Sequence, residues 1–149
     1  MKLFSKITAT FFGVGYFPVA PGTLTSAIIV LLYKFFLYRL SWPIYLLLFF
    51  MLFALGTYVS DVYSRMLKKE DPRTVVIDEA AGQFIALFLL SPQWTICAAS
   101  FFLFRFFDIF KPFPINRIET FPRGFGIMLD DIAAAIFAGI LINLFLLLT

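Results

Sequence analysis

Trp42-Pro43-Ile44-Tyr45-Leu46-Leu47-Leu48-Phe49-Phe50-Met51-Leu52-Phe53-Ala54-Leu55-Gly56-Thr57-Tyr58-Val59-Ser60 contains no charged side chain, and its length decides the fold. Wound as a helix at 1.5 Å per residue it reaches about 28 Å, close to the ~30 Å hydrocarbon core of a bilayer. Four more apolar stretches surround it: Leu24–Leu40, Ala80–Leu90, Gln93–Phe107 and Ile132–Leu148. A 149-residue chain with 62% hydrophobic residues and a mean hydropathy of +0.95 has too many such stretches for one soluble core. Two or three are spans by length alone. Ala80–Leu90 is too short to cross comfortably, and Ser91-Pro92 breaks it from the next stretch, as expected of a tilted short span or a re-entrant half-helix. The expected fold class is all-α: one domain over residues 1–149, a polytopic membrane helical bundle with about five membrane-embedded helical segments.

Between the apolar stretches lie breakers and charges. Leu3–Phe12 suits a short interfacial helix. Gly13, Gly15, Pro18 and Pro21 then interrupt it, and no small-x-small cleavage site follows, so a cleaved leader is not expected. Thr23 is placed to cap the next helix, from Leu24. Ser41-Trp42-Pro43 turns the chain at an interface, with Trp42 as an anchor. Asp61–Lys69 extends a helix out of the apolar zone, and Glu70-Asp71-Pro72 ends it. Pro112 and Pro114 stop another helix, and Gly124-Phe125-Gly126 is expected as a flexible lead into the last. Ala133-Ala134-Ala135 and Ala138-Gly139 supply small residues for close helix approach in lipid. Cys97 has no partner for a disulfide within the chain.

The formal net charge of +3 does not point to nucleic acid, because basic residues in a membrane protein report orientation. With the N-terminus, Asp61–Glu79 and Arg105–Arg123 on one side, ten of the twelve basic residues share it, leaving Lys34 and Arg39 opposite. That side is expected to be cytoplasmic, and every carboxylate motif falls on it.

Those motifs carry the chemistry. Asp78-Glu79, Asp108 and Asp130-Asp131 offer five carboxylates from three segments, and ionisable groups beside membrane segments are costly enough to mark a functional site. The chain has no histidine, which excludes Ser-His-Asp triads, histidine phosphatases and His-ligated zinc. Leu103 stands six residues after Cys97, so a Cys-x5-Arg phosphatase loop is absent as well. Carboxylates alone suit Mg²⁺, which prefers oxygen ligands together with substrate phosphate oxygens. Arg105, Asp108 and Lys111 share one loose helix face. Arg105 either forms a structural salt bridge with Asp108 or, like Lys111, holds phosphate oxygens. The Gly13–Ser26 segment adds backbone donors and a helix N-terminus for an anion. A phosphate ester fits this set better than a transported solute. A small ion or solute transporter is the rival reading, but it would place its carboxylates near the midplane rather than at one interface.

Four blocks, in order, resemble the phosphatidylglycerophosphatase A family of bacterial membrane lipid phosphatases: Gly13-Val14-Gly15-Tyr16-Phe17-Pro18-Val19-Ala20-Pro21-Gly22-Thr23-Leu24-Thr25-Ser26; Asp71-Pro72-Arg73-Thr74-Val75-Val76-Ile77-Asp78-Glu79-Ala80-Ala81-Gly82; Phe104-Arg105-Phe106-Phe107-Asp108-Ile109-Phe110-Lys111-Pro112-Phe113-Pro114-Ile115; and Gly124-Phe125-Gly126-Ile127-Met128-Leu129-Asp130-Asp131-Ile132. The chain departs from the family pattern at Thr25, where Gly is usual, at Pro122-Arg123-Gly124, where a His-Gly-Gly-like stretch is usual, and at Ala134-Ala135, where Ala-Gly is usual.

The resemblance implies Mg²⁺-dependent removal of the terminal phosphate of phosphatidylglycerophosphate at a bacterial inner membrane. The expected cofactor is Mg²⁺, and the expected partners are a membrane phospholipid substrate and the lipid bilayer, with no nucleic acid. Asp78, Glu79, Asp108 and Asp130 are the expected metal ligands, with Asp131 a further ligand or a support to one. All five are expected in catalysis, with Thr23, Arg105 and Lys111 binding substrate. A CDP-alcohol phosphatidyltransferase would need aspartates spaced along one block with Asp-Gly and Ala-Arg, which the chain lacks. No residue pattern fixes an oligomeric state.

Overall fold

The computed structural model describes residues 2–118, 121 and 123–148, with the side chains of Ile118 and Arg123 left out. Pro122, in one of the departures above, lies outside the described residues. Among those described, the chain forms seven helices and no strand: α1 (Lys2–Ala9), α2 (Pro21–Phe35), α3 (Trp42–Leu67), α4 (Ile77–Ala86), α5 (Trp94–Phe110), α6 (Ile115–Ile118) and α7 (Arg123–Leu148). Single 3₁₀ turns at Val14–Tyr16 and Leu37–Arg39 join α1 to α2 and α2 to α3. Each of the five apolar stretches is a helix. Two of them, Trp42–Leu67 and Gly124–Leu148, are long and apolar enough to cross a membrane, and only 28% of each apolar window is covered by the rest of the chain. A soluble core helix would be covered far more completely. Instead Phe50, Met51, Phe102, Ile109, Phe145 and Leu147 face outward, each more than half exposed.

Local chemistry explains the boundaries, including three that differ from expectation. α2 starts at Pro21, not Leu24, and its cap is Ala20 rather than Thr23. Proline at the first helical position costs nothing, because its fixed φ suits the helix and the N–H it lacks would be orphaned anyway. Thr23 therefore lies inside the first turn. α4 stops at Ala86, short of Leu90, with Leu89 at φ 60°. Gly124 and Gly126 are not a flexible lead but the first turns of α7. The missing side chain at Gly124 serves close packing: a Cβ there would stand 2.3 Å from the Thr57 carbonyl oxygen of α3. As a result Asp130 and Asp131 sit two turns inside α7 instead of ahead of it.

α4 is the hub. It packs against α7, α2, α3 and α5, and Ile77, Asp78, Ala80, Ala81, Gly82, Gln83, Phe84 and Ala86 are all buried. At ten residues it is about 15 Å long, half a bilayer core. Its C-terminal end lies within the bundle, where Phe84, Ala86 and Leu87 are buried, so side chains must satisfy its last carbonyls. Tyr45 donates its hydroxyl to the Phe84 carbonyl at 2.5 Å while its ring stacks on Phe84 at 4.2 Å. Ser100 donates to the Ala86 carbonyl at 3.3 Å. Tyr33 reaches Leu90 and Lys34 reaches Pro92 in the same way. On the other side of the hub, the small residues Ala134, Ala135 and Ala138 of α7 are buried with Ala86, Phe104 and Ile115. Close approach of small residues is the means by which helices bind one another in lipid.

Chain direction then sets what lies at each end. α2, α4 and α7 begin, and α3 and α5 finish, at one end of the bundle. Val76, just before α4, donates to the Ala9 carbonyl at 3.0 Å and so ties α1 to that end. Lys34, Arg39, Trp42 and Trp94 belong to the other, where Lys34 lies 4.9 Å from the Trp94 ring.

Candidate active site

At the first end a cleft of about 230 Å³ opens between α2, α4, α5 and α7. Ala20, Pro21 and Gly22 line it from α2 and its cap; Asp71, Arg73 and Val75 line it from the segment before α4. Asp78 and Glu79 come from the first turn of α4, where carboxylates also complement the helix dipole. Arg105, Asp108 and Lys111 come from the last turns and cap of α5, and Asp130 and Asp131 from α7. Seven of the eight expected site residues therefore converge. Thr23, half-buried in the first turn of α2, does not line the cleft.

The carboxylates divide into two groups. Asp78, Glu79 and Asp131 each bring a carboxylate oxygen to within 4.8 Å of the others, so the three could hold a metal ion. In each of them one buried oxygen accepts no hydrogen bond: Oδ1 of Asp78, Oε2 of Glu79 and Oδ2 of Asp131. A buried acceptor left unmade is costly, and three at one point are what a cation satisfies. Asp108 and Asp130, expected with Asp78 and Glu79 in the ligand set, are instead engaged by cations. Arg105 Nη1 lies 2.6 Å from Asp108 Oδ2 and 3.9 Å from Glu79 Oε1; Lys111 Nζ lies 2.5 Å from Asp130 Oδ2. Asp130 Oδ1 also accepts from the Asp131 backbone N–H at 3.0 Å. Arg105 is not fully used by these contacts, since its buried Nε has no hydrogen-bond partner.

The electrostatics follow from crowding. Six acidic side chains against three basic ones line the cleft. Asp78 and Glu79 stand just ahead of the apolar Ala80–Leu90 stretch. Burial pushes the Glu79 carboxyl up to about 7, against the lowering effect of a hydrogen bond shared with Asp78 and of the Arg105 charge, with the Asp108 charge adding to the rise. Burial first, then the Glu79 charge, raises Asp78 well above the usual carboxylate range. Both groups resist ionising until positive charge is supplied.

Two features escaped the sequence. Arg73 faces the cleft from the Asp71-Pro72-Arg73 turn, and nothing in its spacing relates it to Asp78. Gly22 is in van der Waals conflict with any substitute: a Cβ there would stand 1.8 Å from Glu79 Oε1. The Pro21-Gly22 pair carried a signal for it, because glycine just inside a helix start is poorly explained by helix propensity alone.

The same set of residues decides what the chain is similar to. A family model described as phosphatidylglycerophosphatase A matches residues 7–146. The chain belongs to the phosphatidylglycerophosphatase A family. It is 40% identical over 138 residues to the phosphatidylglycerophosphatase A of Haemophilus influenzae, covering 91% of this chain and 85% of that one. It is 33% identical over 138 residues to that of Escherichia coli, covering 91% and 80%. A Bacteroides thetaiotaomicron protein, provisionally named a phosphatidylinositol-3-phosphatase, is 34% identical over 143 residues, covering 91% and 89%. No solved structure matches the chain.

Proposed function

We propose that this chain is a bacterial inner-membrane phosphatidylglycerophosphatase: a single multi-pass domain of about five embedded helical segments that hydrolyses the terminal phosphate of phosphatidylglycerophosphate at the cytoplasmic face, with Mg²⁺ as cofactor. The observation that carries this reading is the trio of buried oxygens without a hydrogen-bond donor on Asp78, Glu79 and Asp131, beside Arg105 and Lys111 in the same cleft. The membership of the family and the names of the Haemophilus and Escherichia relatives support the substrate.

An all-oxygen donor set selects a hard cation. Asp78, Glu79 and Asp131 would hold Mg²⁺, with Asp108 and Asp130 as further oxygen donors, and the bound ion would supply positive charge for the phosphoryl oxygens and make water a better nucleophile. The remaining work belongs to the protein. Arg105, with its idle Nε, and Lys111 bind phosphate oxygens and stabilise the charge that spreads over them as the ester bond breaks. Asp108 and Asp130 hold those two cations in place. The first turn of α2, which lines the cleft through Gly22, offers backbone N–H groups to the phosphate. Arg73, exposed at the rim, suits the phosphodiester that this substrate carries in addition to its terminal phosphate.

The test is phosphate release by purified protein in mixed micelles. Phosphatidylglycerophosphate should be hydrolysed with Mg²⁺ and spared in EDTA, and Asp78→Asn should be nearly inactive while remaining folded. Preference for phosphatidylinositol 3-phosphate would move the substrate assignment towards the Bacteroides relative. Solute flux in sealed vesicles with no phosphate release would favour the transporter.

A further inference from the structure

A second cavity, of about 250 Å³, lies between α2 and α5 on the outer face of the bundle. Its lining is almost wholly apolar: Ala27, Val30 and Leu31 on α2 face Cys97, Ala98 and Phe101 on α5, with Trp94 at one end. Two features separate it from an ordinary gap in packing. Its mouth is open to the side, with Leu31 47% and Phe102 67% exposed, and along both helices its lining residues stand in line with residues of the cleft. Residues three and four apart share a helix face. On α5 the stripe Trp94, Ala98, Phe101 therefore leads on to Arg105 and Asp108. On α2 the stripe Leu31, Ala27 leads back to Thr23 and Ala20. Arg105, Asp108 and Ala20 line the acidic cleft, so groove and cleft form one track along the same helix pair, charged at the top and apolar below.

We infer that this groove holds an acyl chain of the lipid whose phosphate enters the cleft, an assignment that rests on the phosphatase reading above. The occupant must be apolar, flexible and joined to a phosphate group, because the track ends on Arg105 at one end and on Trp94 at the other. A diacylglycerol phosphate meets all three requirements. Its length also suits an acyl chain: Arg105 to Trp94 spans about 17 Å at 1.5 Å per residue. Trp94 closes the far end, held by the Lys34 ammonium 4.9 Å from its ring and by the edge of Phe35 at 6.2 Å. Thr23, outside the cleft, lies on the α2 stripe between Ala27 of the groove and Ala20 of the cleft. The groove thus measures chain length from a fixed phosphate.

The experiment compares two forms of phosphatidylglycerophosphate in detergent micelles, one with long acyl chains and one with chains too short to pass below Arg105. In Ala98→Phe and Ala27→Phe the groove is filled. The ratio of kcat/KM for the long form to that for the short form should fall by roughly tenfold or more, mostly through KM, since even one methylene in an apolar pocket changes selectivity on that scale. Trp94→Ala should shift preference towards longer chains. Equal losses on both forms, or an unchanged ratio, overturn the assignment. So does an unchanged ratio joined to an altered oligomeric mass, which would make the groove a helix-packing surface. A separate measurement guards against misfolded variants. In the unsubstituted protein, phosphatidylglycerol with a photoreactive group on its acyl terminus should label peptides of α2 and α5, and excess unlabelled lipid of the same headgroup should compete. Labelling confined to other helices overturns the assignment. A protein that releases phosphate from neither form fails earlier, at the phosphatase reading, and is thereby distinguished from one that hydrolyses both without regard to the groove.

Discussion

The Glu79 carboxyl is held in position by an absence. Gly22 brings the first turn of α2 so close that any β-carbon would overlap Glu79 Oε1, at 1.8 Å. Gly82 does similar work one turn further along α4, where a β-carbon would meet the Phe104 ring at 2.7 Å and the Asp131 β-carbon at 3.1 Å. Two glycines thus let α2, α5 and α7 crowd α4 until three carboxylates point at one spot. Gly22→Ala isolates this effect. The clash is with the far end of a flexible side chain, so the carboxyl can swing aside and the fold should survive. The displaced oxygen is no longer available to the cation. We expect about a hundredfold loss of turnover, the cost of an ångström-scale misplacement, with partial recovery as Mg²⁺ is raised. The unfolding temperature in EDTA should hardly change. A variant that unfolds and loses activity in parallel would show instead that Gly22 serves packing alone.

At the scale of the element, α4 is a short helix with a charged beginning and an apolar remainder, and it links site to stability. Without a cation, burial raises Glu79 from its ordinary 4.5 to about 7. The folded state then keeps a proton that the unfolded chain releases. The stabilisation is complete below the unfolded value and is lost as pH rises through the folded one. In EDTA the unfolding temperature in detergent should therefore fall as pH goes from about 5 to about 8. Mg²⁺ should reverse that fall, since a ligand specific to the folded state adds about 2.7 kcal/mol at a hundred times its Kd. A flat EDTA profile would mean that the three oxygens are satisfied without a cation.

The same helix shows what was legible in the sequence. Its acidic start was readable from Asp78-Glu79 ahead of an apolar run, and its brevity from Ser91-Pro92. That it forms the hub was not, because the cause lies in remote partners: the Tyr45 hydroxyl on the Phe84 carbonyl, Ser100 on Ala86, and alanines of α7. The first turns of α7 misled for a related reason. Gly124 reads locally as flexible, yet what it provides is room for the Thr57 carbonyl. For the site, residue type announced the carboxylates, but only the geometry separates Asp78, Glu79 and Asp131 from the cation-paired Asp108 and Asp130.

For the whole molecule, the two ends of the bundle differ in the way a membrane demands. Arg65, Lys68, Lys69, Arg73, Arg105 and Lys111 gather at the cleft end, whereas Lys34 and Arg39 keep company with Trp42 and Trp94 at the other. Charge asymmetry of this kind fixes orientation during insertion, and aromatic side chains settle at the interface. On the orientation proposed above, a site that takes a headgroup from the basic side opens to the cytoplasm. Ser41, exposed at the turn into α3, and Lys69, exposed beyond its end, lie at opposite ends of one helix 26 residues long, about 39 Å at 1.5 Å per residue. That exceeds the ~30 Å core, so one helix presents both probes outside it. With Cys97 replaced by alanine, the chain has no other cysteine. A membrane-impermeant maleimide should then label Ser41→Cys in intact cells and Lys69→Cys only after the membrane is opened. Labelling of both from outside would remove α3 as a span. The reverse pattern would put the carboxylates on the outer face and take the cleft away from any lipid phosphate made in the cytoplasm.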